Sequence, residues 1–336
     1  MKQMFLRSLW PNYVWRDITF DTTVVILILI SFIKFKMTIF LSLPLFILFG
    51  FRLYLSVVEY AIFQRPENYR KDTLNAIGWT TETCNVMGIE ITYHISKGKQ
   101  SKPTIFFIHG WRSSSGRMLN RIEHFVNIGW TVCAIDLPNH GNSGAVAKWS
   151  AEFSTTCVID VLNRFDYSDT NQKIIFYGHS LGGFIVMRLF KRAKEIRVSD
   201  QIEAIVLESP MTRYSYIIEE NFERNNMMQF VKKVLMKRII TTVQRLNTVT
   251  NEFHSIEDAD IPSWGLPEVP TLVVQAENDD VLGTKHYEAL IESMRDHDIK
   301  FEHHVVPSLS HSGIEVHEER DALTSKFIRE LDDLFL

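Results

Sequence analysis

The sequence predicts an α/β domain built on a mostly parallel sheet with helices on both faces, and three observations predict it. Solid apolar runs at 104–108, 130–135, 174–177 and 271–275 have the composition of strands buried on both faces. Segments with helical spacing separate them, so strand and helix alternate. One long helix-rich insertion, 210–267, interrupts that alternation near its end.

Taken in order, residues 1–60 read as a hydrophobic membrane anchor. Residues 22–33 and 37–51 are apolar, and Lys34-Phe35-Lys36 separates them. With 12 and 15 residues they measure about 18 and 22 Å as helices, short of the roughly 30 Å hydrocarbon core. The expectation is therefore two short membrane-embedded segments, with Pro44 able to kink the second, because one continuous span would bury two lysines. A cleaved signal peptide is an alternative, but no small-x-small cleavage site follows Ile33. A buried soluble helix is another. Basic residues on both outer flanks (Lys2, Arg7, Arg16; Arg52, Arg65, Arg70, Lys71) fit a hairpin with the folded domain facing the cytoplasm. Lys34 and Lys36 in the turn argue the other way.

Residues 61–84 read as a connector, and the folded domain is expected from 85 to 336. Residues 87–95 alternate as a strand, and Lys97-Gly98-Lys99 is a turn. The run at 104–108 ends in the loop His109-Gly110-Trp111, and a helix is expected over 118–127. The run at 130–135 leads into Asp136-Leu137-Pro138-Asn139-His140-Gly141-Asn142-Ser143. A helix over 153–165 precedes the strand at 174–177. Strands at 204–207, 271–275 and 301–306 and a last helix at 318–334 complete the pattern.

Gly178-His179-Ser180-Leu181-Gly182 matches G-x-S-x-G between a buried strand and an apolar helix. That context is the nucleophile elbow, where a serine on a strained turn needs small neighbours two residues away on each side. A serine hydroxyl requires a general base, and the base requires a third group to orient it. The strand at 271–275 ends in Ala276-Glu277-Asn278-Asp279-Asp280, and the strand at 301–306 ends in a loop that carries His311. Ser180, Asp279 and His311 thus follow in the order nucleophile, acid, histidine, each just past a strand. Asp280 in a shifted loop and Glu208 after an earlier strand are the alternative acids. His303 and His304 lie within a strand pattern and read as packing or surface residues.

These motifs, together with His109-Gly110-Trp111 and the Asp136–Ser143 segment, make residues 85–336 resemble the α/β-hydrolase superfamily, in its carboxylesterase and monoacylglycerol-lipase-like branch. The resemblance implies an oxyanion hole formed by the backbone N–H groups of Trp111 and Leu181. His109 and Gly110 would shape that loop, while His140 would brace the active-site rim and Asp136 would hold a turn. It also implies that 210–267 is a cap over the active site. The family's acid motif usually begins with glycine where this chain has Ala276, and a glycine often stands where it has Leu309. Neither departure removes a functional group.

The implied function is a serine hydrolase cleaving carboxylic esters of a lipid-like acyl kind through an acyl-enzyme, with no metal or cofactor. The cap segment 227–240 reads as an amphipathic helix that either packs on the core or touches acyl chains or an anionic bilayer. Acyl transfer or amide cleavage on the same site is one rival, and a catalytically silent binding relative is another. A net charge of −4 and the lack of a basic, aromatic-interleaved motif give no reason to expect nucleic acid. Cys84, Cys133 and Cys157 are too few and too scattered for a disulfide framework or a zinc site.

Overall fold

The computed structural model describes residues 11–35, 39–62, 74, 78–99, 102–146, 149–168, 173–246 and 253–334. Lys2, Arg7, Lys36, Arg65, Arg70 and Lys71, invoked above for membrane orientation, lie outside them. The chain divides into two compact units: residues 1–65, 147–149 and 227–246 form one, and 66–146, 150–226 and 247–336 form the other.

The larger unit carries one eight-stranded sheet in the order β1-β2-β4-β3-β5-β6-β7-β8. Its strands are β1 Trp79–Val86, β2 Ile89–Ser96, β3 Thr104–Ile108, β4 Thr131–Ile135, β5 Ile174–His179, β6 Ile202–Glu208, β7 Thr271–Ala276 and β8 Phe301–Val306. β2 runs antiparallel to both its neighbours, β1 and β4, and every other neighbouring pair in the sheet is parallel. The sheet is covered as its apolar runs require. Ile105 and Phe107 of β3 turn to a core that also holds Met118, Ile122, Phe125, Trp130, Phe327 and Leu331. Phe106, one position on, faces the other side and meets Phe165 edge-on at 5.1 Å.

The domain begins earlier than the sequence pattern suggests. β1 lies inside the segment 61–84 expected to be a connector. Thr80, Thr81, Glu82 and Thr83 are exposed on this edge strand, so no apolar run marks it. Its register comes instead from pairing with β2 along the full length, Trp79 opposite Ser96 through Val86 opposite Ile89.

In the smaller unit, α1 (Pro11–Phe35) and α2 (Ile39–Ile62) are helices of 25 and 24 residues. Both are longer than their apolar stretches because they run on through paired polar residues. Buried Asp21 of α1 accepts a hydrogen bond from Arg52 Nε of α2 at 3.0 Å. The reading of residues 1–60 as a membrane anchor gains no spanning helix from the structure: among the described residues no helix is long and apolar enough to cross a membrane. Apolar side chains are nonetheless exposed along both helices, among them Ile26, Ile33, Phe46 and Leu48.

The remaining helices are α3 (Leu119–Asn127), α4 (Ala151–Arg164), α5 (Leu181–Lys191), α6 (Tyr214–Arg224), α7 (Gln229–Leu246), α8 (Thr284–Asp296) and α9 (Glu318–Leu334). α6 and α7 both come from the 210–267 insertion, but α6 belongs to the larger unit and α7 to the smaller.

Candidate active site

Ser180 stands between β5 and α5 with φ 54° and ψ −118°. A non-glycine residue in that region stores about 1–3 kcal/mol of strain and stays there only when its surroundings hold it. They do. Ser180 N–H donates to Glu208 O at 2.9 Å, and Ser180 O accepts from Met211 N–H and Gly183 N–H. The flanking glycines are steric necessities. A Cβ on Gly182 would lie 2.0 Å from Ile108 O, and one on Gly178 would lie 2.6 Å from Gly183 Cα.

The structure brings Ser180, Asp279 and His311 together. His311 Nε2 is 2.9 Å from Ser180 Oγ, and His311 Nδ1 is 2.7 Å from Asp279 Oδ2. A carboxylate only accepts, so Nδ1 carries the proton and Nε2 turns its lone pair to the serine hydroxyl. Asp279 Oδ2 also accepts from Gln275 Nε2 at 3.1 Å, and Oδ1 accepts from the backbone N–H groups of Val281 and Leu282. Burial pushes the Asp279 carboxyl up, but the His311 hydrogen bond and those two backbone donors outweigh it and hold it at about 2. Asp280, the alternative acid, is exposed.

Glu208 is committed elsewhere. Arg121 of α3 grips both its oxygens, Nε at 2.7 Å and Nη2 at 2.5 Å, and the Tyr177 hydroxyl donates to it as well. Burial raises the Glu208 carboxyl, yet Arg121 brings it well below the usual carboxylate range. The same guanidinium donates to Gly313 O at 2.9 Å, and His179 Nε2–H donates to His311 O at 2.8 Å. Two residues of the His311 loop are thus held from β5 and α3. Sequence spacing gives no signal for this network, since Arg121 and Glu208 are 87 positions apart.

The loop after β3 lies directly against the nucleophile. A Cβ on Gly110 would come within 3.1 Å of both Ser180 Cβ and His179 Nδ1. Trp111 is the next residue in this loop, and Leu181 opens α5 with its N–H at the positive end of the helix. Two neutral histidines fix the loop. His109 accepts Leu137 N–H on Nε2 at 3.0 Å, and its Nδ1 is 2.7 Å from Gly110 O. His140 accepts Arg112 N–H on Nε2 at 3.0 Å, and its Nδ1 is 2.9 Å from Pro138 O. An amide N–H can only donate and a carbonyl can only accept, so each ring is the Nδ1–H tautomer. Burial and the neighbouring His109 hold His140 down at about 3, and burial lowers His109 too.

Asp136 serves the same rim. It accepts from Ser115 N–H at 2.8 Å and Asn142 N–H at 2.9 Å, and His94 Nε2 lies 3.4 Å away. His303 of β8 meets the hydroxyl of Tyr287 on α8, and His304 stands near Glu302, so neither joins the site. Among the described residues no group of three or more His, Cys, Asp or Glu could hold a metal ion. A hydroxyl, an oriented imidazole and a buried carboxylate in hydrogen-bonded series can deprotonate the hydroxyl as it attacks an electrophile.

Comparison with known proteins agrees with this architecture. The family model described as serine aminopeptidase S33 (Hydrolase_4) matches residues 99–260, which take in the Gly110-Trp111 loop and the elbow but not Asp279 or His311. A curated relative from Mycoplasma genitalium, named "Putative esterase/lipase 2", is 24% identical over 237 residues, covering 64% of this chain and 85% of its own. Among solved structures, mouse alpha/beta hydrolase domain-containing protein 10 superposes with a TM-score of 0.54 at 15% identity, over 76% of this chain and all of that one. Est1E from Butyrivibrio proteoclasticus, solved with ferulic acid bound, gives a TM-score of 0.52 at 18% identity over 75% of this chain and 99% of its own. The sheet order, the elbow and these likenesses agree: the chain has the α/β-hydrolase fold, and its residues 99–260 match a hydrolase family model.

Proposed function

We propose that the protein is a serine hydrolase that cleaves carboxylic esters through an acyl-enzyme. The observation that carries this reading is the series Ser180 Oγ, His311 Nε2, His311 Nδ1, Asp279 Oδ2, with separations of 2.9 and 2.7 Å at its two hydrogen bonds. In this reading His311 takes the Ser180 proton as Oγ attacks the acyl carbonyl, and Asp279 holds the tautomer and stabilises the imidazolium. The backbone N–H groups of Trp111 and Leu181 receive the oxyanion, where losing one donor typically costs about 3–4 kcal/mol. His311 then protonates the leaving alcohol, and water cleaves the acyl-enzyme by the same steps in reverse.

We further propose lipid-like acyl esters as substrates and a membrane-associated protein whose hydrolase unit faces the cytoplasm. The support is the exposed apolar surface of α1 and α2. Amide cleavage is the second reading, because the matching family model is described as an aminopeptidase. A fluorophosphonate probe tests the chemistry: labelling of the wild type and not of Ser180→Ala or His311→Ala supports an activated serine. Labelling that survives in Ser180→Ala removes the elbow from the mechanism. Competing p-nitrophenyl esters of graded chain length against the matched anilides separates ester from amide.

A further inference from the structure

The smaller unit contains more than the N-terminal hairpin. Helix α7, supplied by the insertion between β6 and β7, meets α2 and carries a buried stripe of Val231, Leu235, Ile239 and Thr242. The stripe follows i, i+4, i+8, i+11, one face of a helix. A polar clamp closes this contact. Glu59 of α2, 7% exposed, accepts from Arg238 Nε at 2.9 Å and from the Thr242 hydroxyl, and Arg238 Nη2 donates to Ser56 Oγ at 2.9 Å. A buried carboxylate held by an arginine and a hydroxyl fixes one register and penalises others.

The unit is zoned. α7 meets α2 at Ser56 and Glu59 and, through Phe230, at Phe51, where the ring centroids are 5.8 Å apart. The other half of the hairpin is apolar on every side. Leu43, Leu45, Phe46, Ile47 and Leu48 are all exposed in close succession, as are Ile26, Leu27, Leu29, Ile30, Phe32 and Ile33. A protein partner covers one stripe of a helix, whereas lipid solvates all of them. Soluble monomers rarely expose a contiguous apolar patch beyond a few hundred Å². At the clamped end the charge is positive: α7 holds Lys232, Lys233, Lys237, Arg238 and Arg245 and no acidic residue, in a chain of net charge −4. Lys233 and Lys237 are exposed beside Met228 and Phe230, which are 64% and 55% exposed. The opposing cost is Lys34, the one charge in the apolar half among the described residues, and its long stem allows snorkelling.

We propose that α1, α2 and α7 form one docking surface for an anionic phospholipid bilayer, with the apolar half of the hairpin entering the acyl region and the α7 lysines meeting the headgroups. This rests on the membrane placement proposed above and adds to it a cationic contact drawn from the cap insertion and locked to the hairpin by Glu59. The apolar half of α1, from Thr22 to Lys34, is about 20 Å of helix and reaches into the bilayer without traversing it.

Flotation of the full-length protein with phosphatidylcholine vesicles, with and without phosphatidylglycerol, tests it. Binding to both is expected, tighter on the anionic vesicles and reduced by salt. The double variant Lys233→Glu/Lys237→Glu should bind anionic vesicles roughly 10- to 30-fold more weakly and neutral ones as before. Equal preference for anionic vesicles in wild type and double variant would remove α7 from the surface. A protein that stays with the aqueous fraction as a detergent-free dimer would show that a second copy covers the apolar faces, and would overturn the proposal. Fluorophosphonate labelling of the same samples keeps the two readings apart: a floating but unlabelled protein refutes the hydrolase assignment alone.

Discussion

At the residue scale, the site depends on which nitrogen of His311 carries the proton. Asp279 accepts from Nδ1 and is itself immobilised by Gln275, Val281 and Leu282, so the tautomer is set before any substrate arrives. Asp279→Asn keeps the size but presents an amide N–H or a weaker acceptor to Nδ1, which favours the wrong tautomer. The expected loss is about 10⁴ in kcat, with folding unaltered by circular dichroism. Asp280→Asn, one position on and exposed, should leave kcat within about twofold, as surface substitutions usually do. Comparable losses from both variants would show that the acid is not the residue seated against His311.

At the scale of elements, the elbow is a crossing of backbones. β3, β5 and the start of α5 approach so closely that Gly182 has no room for a methyl group, the nearest obstacle being Ile108 O of β3 at 2.0 Å. Backbone in a central strand cannot step aside as a side-chain tip can. Gly182→Ala should therefore lower stability by about 1–3 kcal/mol or more in urea titrations and lower labelling of Ser180 with it. Glu208 closes a second crossing, joining β6 to α3 and β5. Glu208→Gln leaves the Arg121 guanidinium buried without a counter-charge, a change that typically costs about 3–5 kcal/mol. An unfolding midpoint unchanged from wild type in Glu208→Gln would mean that the pair is not what holds these elements.

The same two crossings mark what could be read from the chain. The elbow, the acid loop and the histidine loop were legible because each is a local event, a buried apolar strand followed at once by a reactive residue. Arg121, Tyr177 and Glu208 come from three distant segments, and only the folded sheet unites them. β1 leaves no hydropathy signal because an exposed edge strand needs no apolar run. The hairpin helices outran their hydropathy because Asp21 and Arg52 neutralise each other inside them.

For the whole molecule, these choices leave a dependence on acid. His109, His140, His179 and His286 are all buried in the larger unit, and burial, the leading cause in each case, keeps them neutral. His140 and His179 lie at about 3 and His286 at about 4. An unfolded histidine titrates near 6.5, so between that value and the folded one the unfolded chain binds more protons. Stability from these groups is complete above about pH 6.5 and drains away as the pH falls toward 3–4. Asp279, held at about 2, adds stability that is present above the ordinary aspartate value of about 3.9 and is lost as the pH falls through 2. Acid should thus act in two stages, histidines first and carboxylates after. The thermal midpoint should fall steadily from about pH 7 to about pH 5, before the carboxylates titrate. His140→Gln, whose amide can still accept from Arg112 N–H but cannot take up a proton, should make that slope shallower. A midpoint that stays level across this range in the wild type would mean that the rings are not held neutral, and the backbone donors assigned to Nε2 of His109 and His140 would need another acceptor.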